Sequence, residues 1–322
     1  MNSDSITEQA RCRVALVGAG HMAREHARAF SQVPGTVLVG LTSRSQEKAK
    51  ILAAEFGIPA VYGSVEELFK NTEADLAVVT VSVLSMKAVA LACFKYPWTV
   101  LLEKPPGCDL GEALDLRREA DLKQRQVFVA LNRRFYSATQ TVLQDLKRYD
   151  GRRYVHVRDQ QDIEEAARKG FPPLVLQKWM YANSIHTIDY LRMLSRGQVR
   201  SVTPITQGKL TLPCIVSALV EFDSGDIGMY EGTWNMPGPW AVSVTVSEKR
   251  WEMRPLEQAV FQDRGERSTN SVEVSEWDRH FKPGLRLQAE EALSAAMGKP
   301  SNSVTLNDAV ETMRLVHSIY KS

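Results

Sequence analysis

The chain has 322 residues, 44% of them apolar and 24% charged, with a formal net charge of +2. That length exceeds one typical core and predicts two domains of ordinary soluble composition. The near-neutral balance, with no lysine–arginine block, excludes a basic field for nucleic acid, and the longest apolar runs, such as LAVVTVSVL (76–84), are shorter than the roughly 20 residues of a membrane span.

The start, MNSDSITEQARCR, is polar and lacks the apolar core of a signal peptide, so a cytoplasmic protein is expected. Strand-like RVALVG (13–18) is followed by helix-like REHARAFSQV (24–33), then by strand TVLVGLT (36–42) and helix SQEKAKILAAEFG (45–57) with a glycine stop. SVEELFK (64–70) opens on a capping box, Ser64 with Glu67, and Asp109 with Glu112 forms a similar cap for the helix that follows. DLAVVTV (75–81), TVLLE (99–103) and VFVAL (127–131) are unbroken apolar runs, as strands covered on both faces require. Strands alternating with helices predict an α/β first domain, 1–130, with a doubly wound parallel sheet.

Beyond about residue 150 the pattern changes. RRYVHVRD (152–159) alternates like a strand, and NSIHTIDYLRML (183–194) is an amphipathic helix. CIVSALVEF (214–222) and DIGMYEGTW (226–234) flank the turn Asp223-Ser224-Gly225 as a hairpin, and AVSVTVS (241–247) and RWEMRP (250–255) continue it. Helices return at 285–298 and 306–320. The expectation is a second, α+β domain, 131–322, with a large, mostly antiparallel open sheet, whose C-terminal helices pack back on the first domain. Four scattered cysteines, Cys12, Cys93, Cys108 and Cys214, show no metal spacing and read as reduced thiols, with no metal site.

Between the first strand and first helix lies GAGHMA (18–23), a GxGxxA dinucleotide signature. Gly18 permits the tight turn and Gly20 lets the backbone approach a pyrophosphate. His21 and Met22 lie between, and Ala23 keeps helix and strand close. At the end of the second strand, where an NAD site usually has Asp or Glu, stand Ser43 and Arg44. Serine can hydrogen-bond a 2′-phosphate and arginine can pair with it, so the cofactor is read as NAD(P), leaning to NADP. A solvated loop and a helix cap at Ser45 is the alternative.

VGAGHMAREHARAF, LLEKPPG (101–107) and SIHTIDYLRML (184–194), in this order, resemble the Gfo/Idh/MocA family of oxidoreductases, which includes glucose–fructose oxidoreductase and inositol dehydrogenase. The resemblance implies a Rossmann domain joined to a sheet domain, with substrate at the nicotinamide between them. It places Lys104 of the EKP motif beside cofactor and substrate, with Glu103 next to it and a cis Lys104–Pro105 peptide plausible. It assigns His186 to the active site as general base, a role its ordinary pKa of about 6.5 suits. Asp189, three residues on, either orients His186 or holds the helix against the other domain. His26 also matches a family position.

Two departures from the family pattern stand out. The aspartate that many members carry four residues before the histidine is Ala182 here, and the loop after the fourth strand reads VSVLSM (81–86). Tyr181 and Asn183 are then candidates for substrate binding, as is Trp179, which follows Lys178. In LNRRFY (131–136), Asn132, Arg133 and Arg134 either bind anionic substrate groups or make salt bridges across the domain junction. Trp234, Trp240 and Trp251 are read as packing or subunit-contact residues.

The implied activity is hydride transfer between nicotinamide and a sugar, sugar acid, cyclitol or nucleotide-linked sugar. The alternatives are a reductase of a non-sugar carbonyl or double bond, and a cofactor-binding sensor without turnover. The expected partner is a small carbohydrate-like molecule, with no nucleic acid or membrane, and the expected assembly is a homodimer or homotetramer through the C-terminal sheet.

Overall fold

The computed structural model describes residues 12–206 and 211–320; most of the polar N-terminal stretch, residues 1–11, lies outside them. The first half runs β1 (Cys12–Val17), α1 (His21–Ser31), β2 (Thr36–Thr42), α2 (Gln46–Phe56), β3 (Val61–Tyr62), α3 (Val65–Asn71), β4 (Leu76–Val79), α4 (Val83–Cys93), β5 (Thr99–Leu102), α5 (Leu110–Leu122) and β6 (Val127–Val129). Its six strands are all parallel, in the order β3-β2-β1-β4-β5-β6. This is a doubly wound sheet whose order reverses between β1 and β4, which opens a crevice at the carboxyl ends of those strands. Both β4 and β5 are buried throughout, as their unbroken apolar sequence demands.

Local chemistry sets the boundaries. Gly57 stops α2 with φ of 64°. The Ser64 hydroxyl accepts from the Glu67 amide at 3.0 Å, while the Glu67 carboxylate reaches back to the Gly63 amide at 2.9 Å, one residue before the expected partner. Asp109 and Glu112 repeat the device, the Glu112 carboxylate accepting from the Cys108 amide. α1 begins at His21, three residues before its periodicity becomes visible, so His21 and Met22 belong to its first turn. The VSVLSM stretch is mostly the start of α4, which is apolar nearly all round and therefore shows no stripe to read.

A 3-10 turn over Asn132–Phe135 leads into the second half: α6 (Ser137–Leu146), β7 (Tyr154–Gln161), α7 (Ile163–Arg168), α8 (Pro173–Gln177), a π-helical turn over Met180–Ser184, α9 (Ile185–Leu194), β8 (Val199–Pro204), β9 (Cys214–Phe222), β10 (Ile227–Trp234), β11 (Ala241–Thr245), β12 (Lys249–Met253), β13 (Ala259–Asp263), β14 (Asn270–Ser271), α10 (Glu276–His280), α11 (Leu285–Ala296) and α12 (Leu306–Tyr320). The eight strands lie in the order β14-β13-β12-β11-β7-β10-β9-β8. All pairs are antiparallel except β7 with β10, which are parallel because the chain leaves β7 through three helices before returning. One face buries Val216, Ala218, Val220, Tyr230 and Trp234, with Leu191 of α9 packed so closely over Gly228 that an added Cβ would meet it at 2.9 Å. The opposite face leaves Tyr154, Ile215 and Ile227 exposed.

The last two helices join the sheets. α11 packs on α1 and β5, and α12 packs on α5 and α9. Between them sits a buried clasp. Arg134, just past β6, donates to both carboxylate oxygens of Asp189 on α9 at 2.7 Å, and Thr312 of α12 donates to the same carboxylate at 2.8 Å. Burial pushes the Asp189 pKa up, but the charge and hydrogen bonds of Arg134 outweigh it and hold it below the usual range. Removing one partner of such a pair strands the other charge away from water. Asp189→Ala should therefore cost roughly 3–5 kcal/mol of unfolding free energy, measured by denaturant titration, whereas Arg314→Ala, exposed on α12, should cost far less.

Candidate active site

The crevice at the switch point is lined by residues that the sequence singles out and by several it does not. Gly18 has φ of 115°, and a Cβ there would meet the Thr80 carbonyl oxygen at 2.7 Å, so the turn requires glycine. Gly20 differs: a Cβ there would meet nothing within 4 Å, because its α-carbon faces open space at the amino end of α1. That gap, next to unspent helix amides, is what a pyrophosphate needs. Ala23 is fully buried, His21 is exposed and Met22 half-buried.

The cleft, about 410 Å³, continues from Gly18 and Gly20 past Ser43 and Arg44 at the end of β2, with Thr80, Ser82 and Ser85 along its other wall. Ser45 does cap α2, accepting from the Lys48 amide, so cap and cleft coexist on adjacent residues. Arg44 is exposed, and Lys48, one turn into α2, lines the same end of the cleft. Sequence reading passed over Lys48, although its place in the first turn after the Ser43-Arg44 pair was the available signal. The residues present thus fit a dinucleotide: Gly18 allows the tight turn, Gly20 leaves room for phosphates at the start of α1, and Ser43, Arg44 and Lys48 line one end of the cleft.

β5 delivers the EKP residues to the same edge. Glu103, expected at the cofactor, turns the other way: its carboxylate meets Nε2 of His26 at 2.8 Å, and both side chains are buried. It also accepts from the Lys104 amide at 3.1 Å. His26 is thereby a core partner that pins the end of β5 to α1. The Lys104–Pro105 peptide is cis. Lys104 extends towards the second half and donates to the carbonyl oxygen of Ala182 at 2.9 Å.

Ala182 lies in the π-helical turn, four residues before His186. His186 is 8% exposed and its Nδ1 has no hydrogen-bond partner. Burial pushes the His186 pKa well below its usual value, and the charges of Lys104, Arg133 and Lys282 push it further down. Burial likewise lowers Lys104 to about 8; Glu103 opposes this while Arg133 and Lys282 add to it. A neutral imidazole and a titratable ammonium are therefore brought together from the two halves of the chain.

The remaining candidates divide by what they touch. Arg134 has closed its fork on Asp189, so it is a structural cation rather than a substrate ligand. Asp189 correspondingly holds α9 and does not orient His186. Trp179 is buried and donates its indole N–H to Gln161 at 2.8 Å, and the Tyr181 hydroxyl meets Nδ1 of His317 on α12 at 3.1 Å. Asn183, half-buried, donates to the same Gln161 oxygen at 2.8 Å. Behind them Gln161 donates to Asp159, a fully buried carboxylate that also accepts from Tyr230 and whose pKa is raised by burial. Together these residues form the floor under the π-helical turn. An ion pair between Lys178 and Asp109, the cap of α5, ties the same segment to the first half.

Arg133, expected either to bind an anionic group or to make a salt bridge across the junction, instead meets Trp240, a residue expected to serve packing or a subunit contact. The Arg133 guanidinium stacks 4.2 Å from the Trp240 ring centroid, and its Nη1 is buried without a partner. Asn132 donates to the Pro283 carbonyl at 2.9 Å, which brings the Lys282 loop alongside.

The low Lys104 value gives a stability test. Its folded pKa, about 8, lies below the ordinary 10.5, so the folded state holds the proton less tightly. The charge works against folding fully below pH 8, and this penalty fades as pH rises towards 10.5. Lys104→Met should raise unfolding free energy by about 1–2 kcal/mol at pH 7, after loss of one hydrogen bond. The gain should shrink between pH 8 and 10.5. A pH-independent change, or a net loss at pH 7, would contradict the placement of this ammonium.

Comparison with known proteins agrees with this architecture. Residues 12–131 match the model of the oxidoreductase family with an NAD-binding Rossmann fold, GFO_IDH_MocA. Trans-1,2-dihydrobenzene-1,2-diol dehydrogenase of Mus musculus is 28% identical over 132 residues, which is 40% of this chain and only 40% of that enzyme's length. A dehydrogenase from Chromobacterium violaceum superposes with a TM-score of 0.83 at 18% identity, over 96% of this chain and 94% of its own. Levoglucosan dehydrogenase, in complex with NADH and levoglucosan, superposes at 0.80 and 16% identity, over 97% of each chain. These structures share the fold across both sheets, and residues 12–131 are similar to the NAD-binding Rossmann domain of the Gfo/Idh/MocA oxidoreductases.

Proposed function

We propose that the protein is an NAD(P)-dependent dehydrogenase that acts on a CH–OH group of a sugar, sugar acid, cyclitol or nucleotide-linked sugar. The observation that carries this reading is the meeting of Lys104, from the carboxyl edge of the parallel sheet, with the turn that leads into α9, where His186 stands in the first turn. When bound, the dinucleotide supplies the hydride acceptor or donor. Gly18 to Ala23 and the start of α1 hold its phosphates, and residues 1–130 form the unit that carries it. Lys104, as an ammonium, binds the substrate oxygen and orients its carbon.

During oxidation the C–H electron pair leaves as hydride, the C–O bond becomes a carbonyl and the hydroxyl proton passes to His186. Burial pushes the His186 pKa down, which favours the neutral imidazole that can accept a proton. Ser43, Arg44 and Lys48 favour a 2′-phosphate, so NADP is the preferred dinucleotide. The exposed face carrying Tyr154, Ile215 and Ile227 supports association of copies through the second sheet. A cytoplasmic setting accords with four free cysteines, and among the described residues no helix is long and apolar enough to cross a membrane.

The test is nicotinamide absorbance with a broad panel of sugars, sugar acids, cyclitols and nucleotide sugars. Lys104→Ala should abolish turnover while cofactor binding persists, and kcat/KM should fall as pH rises through about 8 and the ammonium is lost. Tight cofactor binding with no turnover on any class would favour the sensor reading. Arg44→Ala should weaken NADP about tenfold more than NAD, a difference of one charge-assisted contact; equal losses would remove the NADP preference.

A further inference from the structure

We infer that the site selects a hydroxy substrate bearing a carboxylate, bound by Arg133 and Lys282 beside Lys104 and His186. The inference deepens the proposed dehydrogenase reading and rests on it. Strands β5 and β6 are parallel neighbours with Leu102 opposite Val129, so Lys104 and Arg133 both emerge just past the same sheet edge. Arg133 is 9% exposed, flat against Trp240, and its Nη1 is shielded from water without an acceptor. An unmade hydrogen bond on a buried charge is costly, and an incoming anionic oxygen removes that cost.

Lys282 comes from a distant part of the chain. The Asn132–Pro283 hydrogen bond fixes its loop, as does Gly284, whose close approach to the Asn132 carbonyl leaves no room for a Cβ. Lys282 is exposed and acts on both Lys104 and His186, as Arg133 does. Of the acidic groups nearby, Glu103 is engaged with His26 and Asp278 with the amides of Ser137 and Gly284, while Glu257, which acts on Tyr136, makes no ion pair with Arg133. Three cations thus act on the imidazole, and among the described residues the one carboxylate acting on Lys104, Glu103, is already bonded. Lys104 has its own task at the reacting oxygen, which leaves Arg133 and Lys282 for one further negative group. A planar fork and a single ammonium match the charge and shape of one carboxylate. A phosphate shares this chemistry and is separated from it by the test.

Two measurements decide the matter. Calorimetric titration of the NADPH-loaded protein with malonate and with inorganic phosphate reads the anion site without turnover. Malonate should bind, and its affinity should fall about tenfold in Lys282→Ala and in Arg133→Gln, the loss of one charge-assisted contact. Lys282 is exposed, so its variant remains informative if Arg133→Gln fails to fold. In turnover, uronates and aldonates should exceed their neutral sugar and alditol counterparts in kcat/KM, and Lys282→Ala should raise KM for the acids alone. Malonate binding that is absent, or unchanged by Lys282→Ala, overturns the inference, as does phosphate binding in its place. Turnover of neutral sugars with no advantage for the acids overturns it while leaving the dehydrogenase reading intact. Malonate binding as described with no turnover on any substrate overturns the dehydrogenase reading instead.

Discussion

The hydrogen bond from Lys104 to the Ala182 carbonyl is the contact on which the proposed chemistry depends. It joins a side chain at the end of β5 to a backbone group in the turn before α9, so it exists only when both sheets are in place. The supports on each side are buried polar devices: His26 with Glu103 below the lysine, and Asp159, Gln161 and Tyr230 below the turn. None of these touches the open crevice. Each fixes the direction of a group that does, which is how side chains are kept within the fraction of an ångström that hydride chemistry requires.

The cross-links between the halves follow one pattern. Arg134 with Asp189 and Thr312, Lys178 with Asp109, and Asn132 with Pro283 all bind the segment just past β6, or the cap of α5, to elements of the second half. The charges nearest the reacting groups are left unneutralised, whereas those one layer back are fully paired. A buried pair costs desolvation that its geometry must offset, and Asp189 achieves this with three hydrogen bonds.

Much of this was legible in the sequence. The parallel sheet follows from unbroken apolar runs, and the glycine turn from GAGHMA before an amphipathic helix. The family motifs drew attention to Lys104 and His186, which the fold brings together. What was not legible depends on direction rather than pattern. Adjacent arginines, Arg133 and Arg134, look alike in LNRRFY, yet a 3-10 turn sends one to Asp189 and the other under Trp240. Trp179 and Tyr181 sit near His186 in sequence, but their polar atoms are spent on Gln161 and His317. Helix α4 escaped because a helix whose residues are apolar nearly all round has no periodic signal, and Lys282 because it approaches from a loop some 150 residues from Asn132.

Ala182 connects the departure from the family pattern with the electrostatics of the site. A carboxylate at that position would add a negative charge to the segment that Lys104 reaches and would raise its pKa. Alanine offers Lys104 only its backbone carbonyl, and burial, with Arg133 and Lys282 adding to it, lowers the pKa to about 8. Burial, reinforced by Lys104 and the same cations, pushes the His186 pKa well below its usual value. A site arranged this way disfavours its own lysine until a negative group enters, and then favours it: an anionic oxygen near Arg133 offsets the repulsion that lowers Lys104. Substrate binding and protonation of Lys104 are therefore thermodynamically linked, each strengthening the other, so an acidic substrate would restore the ammonium needed to hold its own reacting oxygen.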